Sequence, residues 1–232
     1  MKTLTILLFL FSCLFITSDD WKENRPVGSF SGLSVGSGID VYLTQGNAEK
    51  LTIEAKGVDE ENVISEVRNG TLRLSIDRKG MSFFNFGRSR QVKAYVTFRQ
   101  LSKLTASGGA NVVGQGKLSF RDLNVSASGG ADVKLNLTAD DLNASASGGA
   151  DLVLEGTART LNADGTGGAD LDARKLTAES GNANSSGGAD VYIYATRELN
   201  LKASGGSDIY YYGPARVSAQ SKSGGSDITK RN

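Results

Sequence analysis

Histidine is absent from all 232 residues, and cysteine occurs once, as Cys13. The first absence removes Ser-His-Asp and Cys-His nucleophile systems, histidine-bearing zinc sites and histidine acid–base pairs, leaving carboxylates and lysines for any chemistry. The second leaves the mature fold without a disulfide. A G-x-x-x-x-G-K-[ST] phosphate loop is also missing, so the 29 glycines do not signal a nucleotide site. No stretch shows the apolar spacing of a helix. Beyond the N-terminal leader, no run approaches the roughly 20 apolar residues of a membrane span.

The leader itself reads "MKTLTILLFLFSCLFITSDDW", with Lys2 before a largely apolar run to Thr17 and an acidic pair at Asp19–Asp20. Residues 1–18 therefore read as a secretory signal peptide. Two processing routes fit: cleavage near Ser18, or lipidation of Cys13 in the context "LFSC". Either exports the protein, to the periplasm, the outer membrane or the cell exterior. Without Lys2 the 26 basic side chains become 25, against 25 acidic ones. That neutrality argues against nucleic acid as a partner.

What is present in abundance is a repeat. "SGGADV" (128–133), "SGGADL" (147–152), "TGGADL" (166–171) and "SGGADV" (186–191) recur with the variants "SGGANV" (107–112) and "SGGSDI" (204–209 and 223–228). The first glycines, Gly108, Gly129, Gly148, Gly167, Gly187, Gly205 and Gly224, are 21, 19, 19, 20, 18 and 19 residues apart. A period near twenty signals a solenoid. Between the glycines the pattern alternates with period two, as strands do. Four residues after each first glycine stand Val112, Val133, Leu152, Leu171, Val191, Ile209 and Ile228, a column for a buried face. Small or aliphatic residues precede the pairs, such as Ala144 and Ala146, so two sheets can approach closely near the turn.

The expected fold is an all-β, single parallel β-helix, right-handed and two-sheeted, with two strands of about six residues per coil and coils about 4.8 Å apart. The glycine pairs supply its positive-φ corner. Residues 25–106 are less regular, continuous with the repeat at 107–232, and cap its N-terminal end. Within them "VGSGIDVYL" (35–43) matches "SGGADVYI" (186–193) and reads as the opening coil. Strands are expected at Lys50–Ala55, Ile64–Arg68, Thr71–Ile76 and Val92–Phe98, with "NG" at 69–70 as a hairpin turn. At the other end Lys230 and Arg231 place charge on the final strand, which discourages end-to-end pairing.

From "FSGLSVGSGIDVYLTQG" (30–46) through the serial "SGGAD" turns, the chain resembles the auto-transporter adhesins with a head GIN domain, common in the Bacteroidetes. The resemblance implies a parallel β-helix similar in shape to the pectin-lyase group, without recognised catalytic residues, and a role in cell adhesion.

Three features carry candidate function. Asn111, Asp132, Asp151, Asp170, Asp190, Asp208 and Asp227 form a column beside the turn. Carboxylates about 4.8 Å apart in water repel by roughly 1 kcal/mol per pair, so something must offset them. Turn N–H groups or the hydroxyl column from Ser107 to Ser223 would serve; calcium is the alternative. The nonapeptide calcium repeat needs a third glycine and a nine-residue period, both missing here. Neither a metal nor a cofactor is therefore expected. The segment "DRKGMSFFNFGRSR" (77–90) gathers Phe83, Phe84 and Phe86 among bases, and reads as a loop over an open core end or as a subunit, membrane or nucleic-acid contact. Finally Tyr192, Tyr194, Tyr210 and Tyr212 occupy outward positions of adjacent coils as a two-by-two patch. Such a patch suits plain strand stability, a homo-oligomer contact, or a cell-surface glycan or protein. The combined reading is a non-catalytic, surface-presenting solenoid for adhesion or envelope scaffolding. The alternative is a carbohydrate-active β-helix, either a glycan-binding module or a weak polysaccharide lyase.

Overall fold

The alternation along the repeat becomes a stack of parallel strands in the computed structural model, which describes residues 20–77 and 90–232. In chain order these are β1 (Trp21–Arg25), β2 (Gly32–Val35), β3 (Asp40–Gln45), β4 (Lys50–Lys56), β5 (Val63–Arg68), β6 (Thr71–Ile76), β7 (Gln91–Phe98) and β8 (Lys103–Ser107). Five long strands follow, β9 (Asn111–Gly129), β10 (Asp132–Gly148), β11 (Asp151–Gly167), β12 (Asp170–Gly187) and β13 (Asp190–Gly205), then β14 (Asp208–Tyr212), β15 (Arg216–Gly224) and β16 (Asp227–Lys230). All sixteen belong to one sheet wound into a parallel solenoid. Residues 1–18, where a signal peptide is expected, and Phe83, Phe84 and Phe86 lie outside the described residues.

Two strands per coil were expected, but from β9 to β13 each coil is a single strand of 16–19 residues. The reason lies in the second corner, which is not a turn. In β10 the buried positions run Val133, Leu135, Leu137, Ala139, then skip to Leu142, Ala144 and Ala146. One extra residue, in the polar pair Asp140–Asp141, slips the alternation by one phase, so the chain bends while both flanks keep facing the core. The ladder crosses the bend, as Ala139↔Ala158 and Asp141↔Thr160 show.

The first corner does need glycine, but only one of each pair. Gly129, Gly148, Gly167, Gly187, Gly205 and Gly224 have φ between 71° and 78°, whereas their followers do not enter that region; the first copy alone uses both, Gly108 and Gly109. Gly149, Gly168, Gly188 and Gly206 instead span to the coil below, as Gly149 N–H does to Gly129 O (2.7 Å).

Inside, the aliphatic column from Val112 to Ile209 is buried, none of it more than 2% exposed. Ile228, expected in the same column, is only half-buried because no coil covers the last one. The opening coil is where the letter match put it: Val35 pairs with Ala106 and Val41 with Val112. β5 and β6 form the hairpin, turning through Asn69 and Gly70 at φ 49° and 70°. β4 adds antiparallel to β7, and β1 antiparallel to β4, completing the N-terminal sheet. That end is closed from β1: Arg25 stacks over Trp21, pairs with Glu23, and donates across the core end to Val63 O, Ser65 Oγ and Glu60 O. Inward charge on an edge strand blocks further strand addition.

Candidate functional site

The solenoid brings repeated side chains into straight columns, and three of these are polar. The Asp column is real in register, from Asp40 and Asn111 through Asp132, Asp151, Asp170, Asp190 and Asp208 to Asp227. The first two hydroxyls of the neighbouring column turn elsewhere: Ser107 and Ser128 donate to the carbonyls of Val35 and Ala106 below. Partners of the Asp column gather at its two ends: Gln91 and Asn111 donate to Asp40, Tyr210 Oη and Asp227 N–H donate to Asp208 (3.0 and 3.1 Å), and Lys222 pairs with Asp227. Burial, together with the charges of Asp170 and Asp208, raises the Asp190 carboxyl above its usual range. Among the described residues no cluster of three or more acidic side chains could hold a metal ion.

The second corner handles charge differently. Arg159 pairs with Asp141 (2.7 Å) and Arg197 with Glu179 (3.3 Å), each to the coil below. Sequence reading passed over the third column, an amide ladder. Asn143, Asn162, Asn182 and Asn200 each donate Nδ2–H to the Oδ1 of the preceding coil's Asn at 2.7–3.0 Å. The signal was present as the recurring "LN" of "DLNVSA", "DLNASA" and "TLNADG".

The four tyrosines fall on adjacent coils as expected, with Tyr192↔Tyr210 and Tyr194↔Tyr212 in register. The two pairs behave differently. Tyr192 and Tyr210 stack, centroids 4.9 Å apart and planes 19° off parallel. Arg174 lies 4.3 Å over the Tyr192 ring and Arg231 lies 4.9 Å over Tyr210. The four groups thus form one cation–π stack along the axis, with ring edges rather than faces toward solvent. Arg174 is held there by Asp172 (2.8 Å), whose hydrogen bond also raises the guanidinium pKa. Burial and Asp190 push the Tyr192 phenol up; the bond to Asp208 does the same for Tyr210. Tyr194 does not stack on Tyr212. A Cβ at Gly213 would lie 3.1 Å from its ring, so Tyr194 packs over that glycine.

A second aromatic pair occupies the same outward column at the other end. Tyr42 and Tyr95 stack with centroids 5.2 Å apart, and Tyr95 Oη donates to Glu54, which Lys22 also contacts (2.5 Å). The Lys22 hydrogen bond, then that of Tyr95, lowers the Glu54 pKa. The alignment of "VGSGIDVYL" with "SGGADVYI" already placed Tyr42 at the Tyr192 position; Tyr95 joins only through the sheet.

Nothing in these columns converges as a catalytic set does. "GLSVG" (32–36) fits the G-x-S-x-G spelling of a hydrolase nucleophile turn, but Ser34 sits within strand β2 and no histidine exists to activate it.

The family model described as "Putative auto-transporter adhesin, head GIN domain" matches residues 29–215. The chain belongs to this family. Among solved structures, a "putative adhesin" from Bacteroides fragilis is similar to this head GIN chain at 26% identity and TM-score 0.83, covering 91% of this chain and 97% of its own. A "putative lipid binding protein" from Parabacteroides distasonis (17% identity, TM-score 0.72, 93% and 98% covered) shares the fold. So does a "putative adhesin" from Parabacteroides merdae (15%, 0.64, 92% and 96%). No match was found among curated proteins.

Proposed function

We propose that the protein is an exported, non-catalytic adhesin whose solenoid presents a regular surface to a partner. The observation that carries this is the head GIN family match over 29–215, on a fold whose polar residues form columns instead of a converging cluster. Catalysis needs groups differentiated by environment, and a column repeats one environment. Among the described residues no helix is long and apolar enough to cross a membrane. The leader then supplies export, and Cys13, if lipidated, the tether.

The test is a strain lacking the gene, scored for attachment to host-cell and mucin-coated surfaces and complemented by the wild-type chain. Attachment should fall on deletion and return on complementation. Unchanged attachment would overturn the adhesin reading. Release of new reducing ends from a polysaccharide panel by the purified protein would overturn the non-catalytic part.

A further inference from the structure

The outward column next to the Asp row carries Tyr95 and Tyr42 near one end and Tyr192 and Tyr210 near the other, with Val113, Lys134, Val153 and Asp172 between. We propose that this face binds a linear, uncharged polysaccharide laid along the solenoid axis and held at both ends by the two tyrosine pairs. The assignment rests on the adhesin reading and names its partner.

Length is the first argument. Five strand steps separate β3 from β13 in the sheet, about 24 Å at about 4.8 Å each. Only an extended ligand reaches both pairs, and one that does gains from the second contact as an intramolecular event.

Chemistry is the second. Because Arg174 and Arg231 cover the free faces of the Tyr192–Tyr210 stack, that pair offers ring edges and hydroxyls, which suit a hydroxyl-rich polymer better than a flat apolar one. Beside the column, the exposed carboxylates of Asp132, Asp151 and Asp170 have no hydrogen-bond or ion-pair partner among the described residues. Sugar hydroxyls can donate to such a row of acceptors, whereas a polyanion is repelled by it.

The same charges argue against a second copy on this face. A two-fold axis that ran the solenoids antiparallel would lay the Asp column on itself. One that ran them parallel would place Lys134 on Lys134 and Asp172 on Asp172. The antiparallel arrangement collects unpaired carboxylates at the contact; the parallel one stacks two ion pairs, Lys134–Glu155 and Asp172–Arg174, on their own copies and gains no complementary charge.

The experiment uses the full mature chain with β-1,4-glucan, β-1,3-glucan and α-mannan of graded length, and polygalacturonate as the polyanion. At least one uncharged polymer should bind, more tightly once it is long enough to reach both pairs, and polygalacturonate should not. Tyr42→Ser and Tyr192→Ser should each weaken binding about tenfold, with melting curves showing that the variants remain folded. The proposal is overturned if no uncharged polymer binds, if polygalacturonate binds better, if folded tyrosine variants bind normally, or if they change the oligomeric state instead. Polymer binding with normal attachment of the deletion strain would sink only the adhesin reading. Lost attachment without polymer binding would sink only this one.

Discussion

Gly148 and Gly149 look equivalent in the repeat, but their backbones ask different things of them. Gly148 has φ +73°, and a Cβ there would lie 3.2–3.4 Å from the Gly129 backbone. Gly149 has an ordinary φ, and its Cβ would meet only Gly129 O, at 3.5 Å. Gly148→Ala should therefore cost about 1–3 kcal/mol, and Gly149→Ala close to nothing, as read by chemical denaturation. Gly156→Ala should be worse than either, since its Cβ would fall 2.0 Å from Leu137 O, at φ +113°. Asp190 gives a pH test. Its folded pKa is raised, so the native state holds the proton more tightly than the unfolded chain does. Stability is therefore lost as pH rises from the unfolded to the folded value, and the full cost is present above it. Asp190→Asn should raise the melting temperature at pH 7 by about 2–4 °C, because it removes the burial of a charge and its repulsion from Asp170 and Asp208. The gain should vanish at pH values low enough to protonate Asp190 itself.

Each coil is held by more than its glycine corner. Between β10 and β12 the Asn ladder adds a side-chain hydrogen bond per coil to the backbone ladder, and Asn162 both donates and accepts. Asn162→Ala removes two such bonds and should cost about 1–2 kcal/mol, a loss checked by denaturation midpoint. A change near zero would mean that water replaces the ladder. Core positions show how far the repeat can vary while the strand persists. Gly181 stands where neighbouring coils have Leu161 and Leu199. A Cβ there would lie 2.8 Å from Ile193 Cδ1 and 3.1 Å from Leu199 Cδ2, so those side chains have taken the missing volume. Packing is conserved by the layer and not by the position.

The whole stack stands on one narrow core, which makes the middle its most exacting place. Leu152 is fully buried between coils on both sides. Leu152→Asp should abolish the folded state through a buried unpaired charge worth several kcal/mol, seen as loss of the cooperative melt. The ends are finished differently. At the N-terminal end, Arg25 turns inward from β1 and pairs with a partly exposed Glu23, whereas at the other end Arg231 is drawn outward onto Tyr210 and Lys230 stays exposed. Partly buried apolar side chains accordingly gather at the two ends, among them Trp21, Val67, Val217 and Ile228.

The twenty-residue period, the buried column from Val112 to Ile209 and the pairing of "VGSGIDVYL" with the later coils were legible in the letters, because a solenoid repeats its local contacts every turn and so repeats its sequence. The aligned positions of Tyr192, Tyr194, Tyr210 and Tyr212 followed from the same register. What the letters could not settle was what happens where a side chain meets a group outside its own column. Arg174 and Arg231 close the faces of the tyrosine stack, Tyr194 turns onto Gly213, and Tyr95 reaches Tyr42 from a strand that enters the sheet after a long excursion. Two strands per coil became one because a single extra residue at Asp140–Asp141 shifts the pleat without ending the hydrogen bonds. Periodicity encodes which residues stack; only the three-dimensional path decides what covers them.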